Sequence, residues 1–269
     1  MRAGQTGEGI FGDMKIQLLP SNVSYPFELQ SLSTFLINDT IAIDGGSLGF
    51  SLDLEKQRLV HTVIVTHSHS DHTASLPVFI ADAFPFLTEP VYIYSTRQTI
   101  RCLREHVFND EVWPDFHQIK LLNGKGAGLH YVEIEPETPI EADNLRITPV
   151  WVNHTVPTIG LAIEDAHSAV IFTSDTYHTE DVWKLANRMD RLKAVFVDVS
   201  YPNERLDLAE DSKHFTPAAL KIELNKLHRR VPIFAVHLKS HFRKKVAEEL
   251  RDLNCAEIHV AEIGRKYLF

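Results

Sequence analysis

The chain has 269 residues, 44% of them hydrophobic, enough for one large domain with a sizeable buried core. Lys and Arg number 27 against 36 Asp and Glu, a formal charge of −9. That balance argues against an extended nucleic-acid footprint but not against a small anionic substrate, because bound metal ions can reverse the sign of a local site.

Residues 1–13 are Gly-rich and patternless and are expected to be a flexible leader or an expression remnant. No linker, charge block or repeat divides the rest, so 14–269 is expected to be a single domain. Alternating strands are predicted over 33–44, and Ile41-Ala42-Ile43 runs directly into Asp44. Val63-Ile64-Val65-Thr66 then runs into His67. Helical patterns follow over 72–83 and 96–107, with Cys102 in the second. Strands are predicted again at 129–135 and within 146–173, where Val170-Ile171-Phe172 is soon followed by Asp175. After a helix over 180–190, Val195-Phe196-Val197 leads to Asp198 and Ser200. A helix starts at Thr216-Pro217, a capping hydroxyl followed by a residue suited to the first helical position, and carries Leu220, Leu224 and Leu227 on one stripe. Ile233-Phe234-Ala235-Val236 leads to His237, before a last helix over 241–252 and a closing strand near 257–261. Short apolar runs of this kind read as strands buried on both faces. Each ends in a metal-capable residue, so several strand ends are expected to meet at one rim. The whole predicts an α/β chain with two sheets covered by helices.

The densest chemistry is His67-Ser68-His69-Ser70-Asp71-His72, four metal-capable side chains in six residues at a strand–loop–helix junction. Imidazole and carboxylate donors suit zinc, with manganese or iron as alternatives. His154, Asp175 and His237, each at the end of a strand-like run, are candidates for the remaining ligands. The two cysteines, Cys102 and Cys255, are too few and too far apart for a disulfide framework or a cysteine-rich zinc module. No apolar stretch is long enough to span a bilayer, no secretory signal opens the chain, and a cytoplasmic location is the default expectation.

With HxHxDH followed by a distant His, Asp and His, the sequence resembles the metallo-β-lactamase superfamily. The resemblance implies an αββα sandwich of two mixed β-sheets flanked by helices and a site for two divalent ions. His67, His69 and His154 would hold one, Asp71, His72 and His237 the other, and Asp175 would bridge them. Asp44, in Asp44-Gly45-Gly46, would orient a ligand imidazole through its other nitrogen. Residues 104–116, 195–217 and 233–239 are similar to segments of class II cyclic-nucleotide phosphodiesterases. That family has an aliphatic residue where this chain has Ser70. The implied reaction is hydrolysis of a 3′,5′-cyclic nucleotide, cAMP or cGMP, to the 5′-monophosphate by a hydroxide held between the ions. Asp71 would orient that hydroxide and His214 would assist the leaving oxygen. Trp113, Pro114 and Phe116 either line a base pocket or pack the core. The basic runs 228–230 and 243–245 read as a solvated face. The expected partner is a small anionic phosphodiester, with neither membrane nor nucleic acid and with a homodimer left open. Rival readings are a tRNA 3′-processing endonuclease, a thioester hydrolase, a lactamase, a di-iron oxidoreductase and a non-enzymatic metal-dependent binding protein.

Overall fold

The computed structural model describes residues 13–21 and 30–269; residues 1–12 of the expected leader lie outside it. Six strands come first in the chain: β1 (Lys15–Leu18), β2 (Phe35–Ile37), β3 (Ile41–Ile43), β4 (Thr62–Ile64), β5 (Val91–Ser95) and β6 (Leu129–Glu133). Seven more follow: β7 (Ile140–Ala142), β8 (Leu145–Val152), β9 (Thr158–Glu164), β10 (Ala169–Phe172), β11 (Leu192–Asp198), β12 (Ile233–Val236) and β13 (Ile258–Val260). The last strand is β14 (Lys266–Leu268). They form two seven-stranded sheets, ordered β14-β1-β2-β3-β4-β5-β6 and β13-β12-β11-β10-β9-β8-β7.

Both sheets are mixed in the same way. Strands β14, β1, β2 and β3 pair antiparallel, whereas β3 through β6 pair parallel. In the second sheet β7 through β10 are antiparallel and β10 through β13 parallel. Parallel neighbours need a crossover, and helices supply it on the outer faces. Leu76–Ala83 and Arg97–His106 cover the first sheet, and Asp181–Arg188, Pro217–Glu223 and Arg243–Asp252 cover the second.

The apolar runs are continuous because both faces of each strand are covered. On the first sheet Ile41, Ile43 and Ile64 face the second sheet while Ala42, Val63 and Val65 face the outer helices. On the second, Val170, Phe172, Ala194 and Phe196 point inward and Ile171, Val195 and Val197 outward. Phe35, Phe172 and Phe196 meet between the sheets with ring centroids 4.9–5.4 Å apart. Phe116 belongs to the core under the outer helices of the first sheet and the half-buried Trp113 packs against it, which is the core-packing reading of these two; Pro114 is exposed.

Three expected elements differ. The helix over 72–83 is two pieces, Ser70–Thr73 and Leu76–Ala83. Pro77 has no N–H to continue the ladder, and Ser75 turns away to donate its hydroxyl to the Gly45 carbonyl at 2.7 Å. The chain also does not close on β13. Strand β14 crosses back to pair with β1, and Met14 and Phe269 exchange both backbone hydrogen bonds at 3.0 Å. The Thr216 cap and Pro217 start are as expected, but regular α-helix stops at Glu223, and Leu224 continues in a 3-10 turn.

Glu223 locks the loop that follows Asp175. Its buried carboxylate accepts from His178 Nδ1 (2.5 Å), the Thr179 amide (3.0 Å), Trp183 Nε1 (2.7 Å) and Lys226 Nζ (3.0 Å). Burial opposes its charge, yet these donors hold its carboxyl below the usual value. A depressed carboxyl contributes stability above its unfolded pKa and loses it as pH falls through the folded one. Glu223→Ala is expected to cost about 3 kcal/mol and to flatten the acid limb of the stability profile below about pH 4. Urea unfolding between pH 3 and 7 checks this, and an acid limb identical to wild type would refute it.

Candidate metal centre

The C-terminal ends of the parallel strands bring the chemistry to one rim. Asp44 follows β3, His67–His72 follow β4, Asp175 follows β10, Asp198 closes β11 and His237 follows β12; His154 arrives from the end of β8. The chain turns sharply at these ends. Asp44, Ser174 and His237 all have positive φ (60°, 55° and 61°), a conformation that costs a non-glycine residue roughly 1–2 kcal/mol and persists only where packing enforces it. Gly46 is required by close approach: a Cβ there would lie 1.9 Å from the Asp71 carbonyl oxygen.

Two ligand clusters form at the rim and share one carboxylate. His67, His69, His154 and Asp175 have ligand atoms within 4.8 Å of one another, and so do Asp71, His72, Asp175 and His237. In the first, His69 Nδ1 lies 3.1 Å from His67 Nε2 and 3.2 Å from His154 Nε2. Nitrogens bound tetrahedrally at about 2.0–2.1 Å from an ion stand about 3.3 Å apart, so the spacing fits. In the second, His72 Nε2 is buried without a hydrogen-bond partner, 3.3 Å from Asp175 Oδ2. His237 Nε2 lies 3.1 Å from Asp71 Oδ2. A buried imidazole lone pair aimed among carboxylates is what a cation would satisfy.

The outer nitrogens of these rings are held. His154 Nδ1 donates to the Lys213 carbonyl at 3.2 Å. The imidazole that Asp44 reaches is His72, with Oδ2 2.6 Å from Nδ1. Asp44 also accepts from the Thr66 hydroxyl at 3.0 Å, and that hydroxyl lies 3.0 Å from His67 Nδ1. One carboxylate therefore sets the tautomer of a ring in each cluster, leaving both Nε2 lone pairs facing the centre. Asp44→Asn is expected to weaken metal affinity about 10–100-fold, as loss of a ligand-orienting partner does elsewhere. Competition with a chelator reads this out, and unchanged affinity would exclude the relay.

Electrostatics divides the histidines. Burial pushes His67 well below the usual imidazole value, moves His69 the same way and takes His154 down to about 4. These rings are neutral, the form that binds metals. Burial opposes charge on His72 and His237 as well, but Asp175 and Asp44 raise His72, and Asp175, Asp198 and Asp71 hold His237 at about 9. Burial likewise works against Asp71 and Asp175, and the surrounding His72 and His237 bring both carboxyls far below their usual range.

A third cluster, Asp175, Asp198, His214 and His237, shares Asp175 and His237 with the others. His214 is buried, with Nδ1 2.6 Å from Asp198 Oδ2 and 3.3 Å from Ser200 Oγ. Ser200 donates to Asp198 Oδ1 at 2.8 Å. Burial raises the Asp198 carboxyl, but His214 and His237 outweigh it and hold it at about 2. The ring of His214 sits 5.1 Å from that of His154 and 5.3 Å from that of His237. Asp198, Thr66 and Lys239 received no role from sequence reasoning. Asp198 carries the strand-end signal, and Lys239 lies two residues after His237 within the phosphodiesterase-like segment 233–239.

The family model of the beta-lactamase superfamily domain matches residues 49–237. A Yersinia pestis protein named "Probable 3′,5′-cyclic-nucleotide phosphodiesterase" is 26% identical over 227 residues, covering 74% of this chain; the chain spans 62% of that relative's length. Among solved structures, unliganded yeast PDE1 superposes with a TM-score of 0.78 over 96% of this chain and 100% of its own, at 18% identity. The Bacillus subtilis metallo-beta-lactamase fold protein YhfI gives 0.72 over 95% and 99%, at 16% identity. At such identities these two establish the fold, which is the expected αββα sandwich of two mixed sheets. Both cysteines are free, and among the described residues no helix is long and apolar enough to cross a membrane.

Proposed function

This chain belongs to the beta-lactamase superfamily, and from that premise we propose that it is a metal-dependent phosphodiesterase that opens a 3′,5′-cyclic nucleotide to the nucleoside 5′-monophosphate. The observation that carries the reading is that, among the described residues, Asp175 is common to all three four-residue ligand clusters, two of which are built from the seven expected ligands. His67, His69 and His154 would hold one divalent ion, Asp71, His72 and His237 the other, and Asp175 both. Neutral imidazoles mixed with carboxylates suit zinc, with manganese or iron as alternatives. Such a pair of ions, when bound, makes a water nucleophilic at neutral pH and counters charge on the phosphoryl group.

The chain's own groups divide the remaining work. Asp71, about a quarter exposed at the open side of the centre, can orient the attacking water by accepting its hydrogen bond. His214 donates its Nδ1–H to Asp198, whose charge favours a second proton on the ring, and that proton, on Nε2, would be the one passed to the leaving 3′-oxygen. The choice of a cyclic nucleotide is supported by the name of the Yersinia pestis relative and by the phosphodiesterase-like segments 104–116, 195–217 and 233–239.

The deciding experiment is hydrolysis of a panel, with metal analysis alongside. The panel holds cAMP, cGMP, bis-p-nitrophenyl phosphate, a glutathione thioester and a pre-tRNA. Turnover of a cyclic nucleotide by protein carrying two metals per chain is expected. Turnover of the thioester alone would end the phosphodiesterase reading.

A further inference from the structure

Lys239 is a partly exposed residue beside the centre and has no part in the ligand clusters. Its Nζ lies 3.3 Å from Asp71 Oδ2 and 3.3 Å from His237 Nε2. Its side chain is 34% exposed and that of Asp71 27%, whereas His67, His72 and Asp175 are almost wholly buried. The residue is also pinned in place. Its amide donates to the Ser200 carbonyl at 3.3 Å, its own carbonyl accepts from the Phe242 amide at 2.8 Å, and the preceding Leu238 is buried in the core of the second sheet.

An ammonium has three donors. Asp71 Oδ2 takes one, and His237 Nε2 cannot accept another while its lone pair serves a cation. Donors are therefore left over for a further acceptor beside Asp71. A phosphodiester approaching this face also meets the carboxylate of Asp71, and a fixed cation beside it offsets that repulsion. Resting on the two-metal phosphodiesterase reading, we infer that the Lys239 ammonium binds a non-bridging phosphoryl oxygen of the substrate, holding the phosphorus over the centre. The competing role is structural: a lysine that merely positions Asp71 would act on metal retention and not on anions.

The test is calorimetric titration of inorganic phosphate into the zinc-reconstituted full chain, with zinc measured in the same samples. Lys239→Met is expected to weaken phosphate binding about 10–100-fold, the worth of a charge-assisted hydrogen bond, at unchanged zinc content. Lys239→Arg should restore most of the affinity. Wild-type affinity in Lys239→Met would overturn the inference. So would a loss that follows zinc content and disappears when zinc is restored. The two readings separate cleanly: no phosphodiester turnover in the panel, with phosphate binding still dependent on Lys239, would remove the phosphodiesterase reading and leave the anion site. Phosphodiester turnover with phosphate binding indifferent to Lys239 would do the reverse.

Discussion

On the proposed two-metal phosphodiesterase reading, replacing Asp175 by Ala is expected to lower metal content from two ions per chain to one or none and to reduce kcat/KM for a phosphodiester by about three orders of magnitude or more. The size of the effect follows from geometry. Asp175 Oδ2 is 3.8 Å from His67 Nε2 and 3.3 Å from His72 Nε2, and Oδ1 is 3.4 Å from His237 Nδ1, so one side chain serves both clusters. Its loss removes a ligand from each and leaves His72 and His237 with one counter-charge fewer in a buried setting. Several kcal/mol of charge stabilisation at the phosphoryl group depend on the ions being present, and each 1.4 kcal/mol is about tenfold in rate. Elemental analysis and steady-state kinetics on the same preparation check the result, with circular dichroism to establish folding. A folded variant that keeps two metals and wild-type turnover would leave the shared carboxylate without its proposed role.

His214→Ala carries the second large effect, and its signature lies in the leaving group. Donating a proton to a departing alkoxide contributes about 10²–10⁴ in rate. The variant should lose that factor with cAMP or cGMP, whose leaving ribose oxygen is strongly basic. With bis-p-nitrophenyl phosphate, whose phenolate leaves without help, the loss should stay under about tenfold. Asp198→Asn should shift the same ratio in the same direction by a smaller amount, because it removes the carboxylate charge at Nδ1 that stabilises the doubly protonated, proton-donating ring. Equal losses on both substrates, at full metal content, would instead make His214 a group that stabilises phosphoryl charge.

The strand ends were readable because a strand buried on both faces must be a continuous apolar run. Ile41–Ile43, Val63–Val65, Val170–Phe172, Val195–Val197 and Ile233–Val236 all are such runs, and each is followed by a polar residue that could not remain in the layer. Strand β14 escaped notice because three residues hold too little alternation to register, and its partner Lys15–Gln17 lies at the other end of the chain. The break between Thr73 and Leu76 was missed because the apolar spacing runs through it; Pro77 was the local signal.

By itself, the sequence determined an α/β chain with two helix-covered sheets and the seven residues His67, His69, Asp71, His72, His154, Asp175 and His237 as candidates, since residue type and local spacing suffice for both; the αββα order of layers came from the resemblance those motifs carry. Only the tertiary structure decided who faces whom. That Asp44 orients His72 directly and reaches His67 through Thr66, that Asp198 holds His214, and that Lys239 lies against Asp71 are contacts between separate strand ends. Sequence distance carries no information about such contacts, because the packing of two sheets sets them. Phe116 makes the same point in reverse: an aromatic residue in a phosphodiesterase-like segment suits a base pocket, and burial under the outer helices makes it core, with the half-buried Trp113 packed against it.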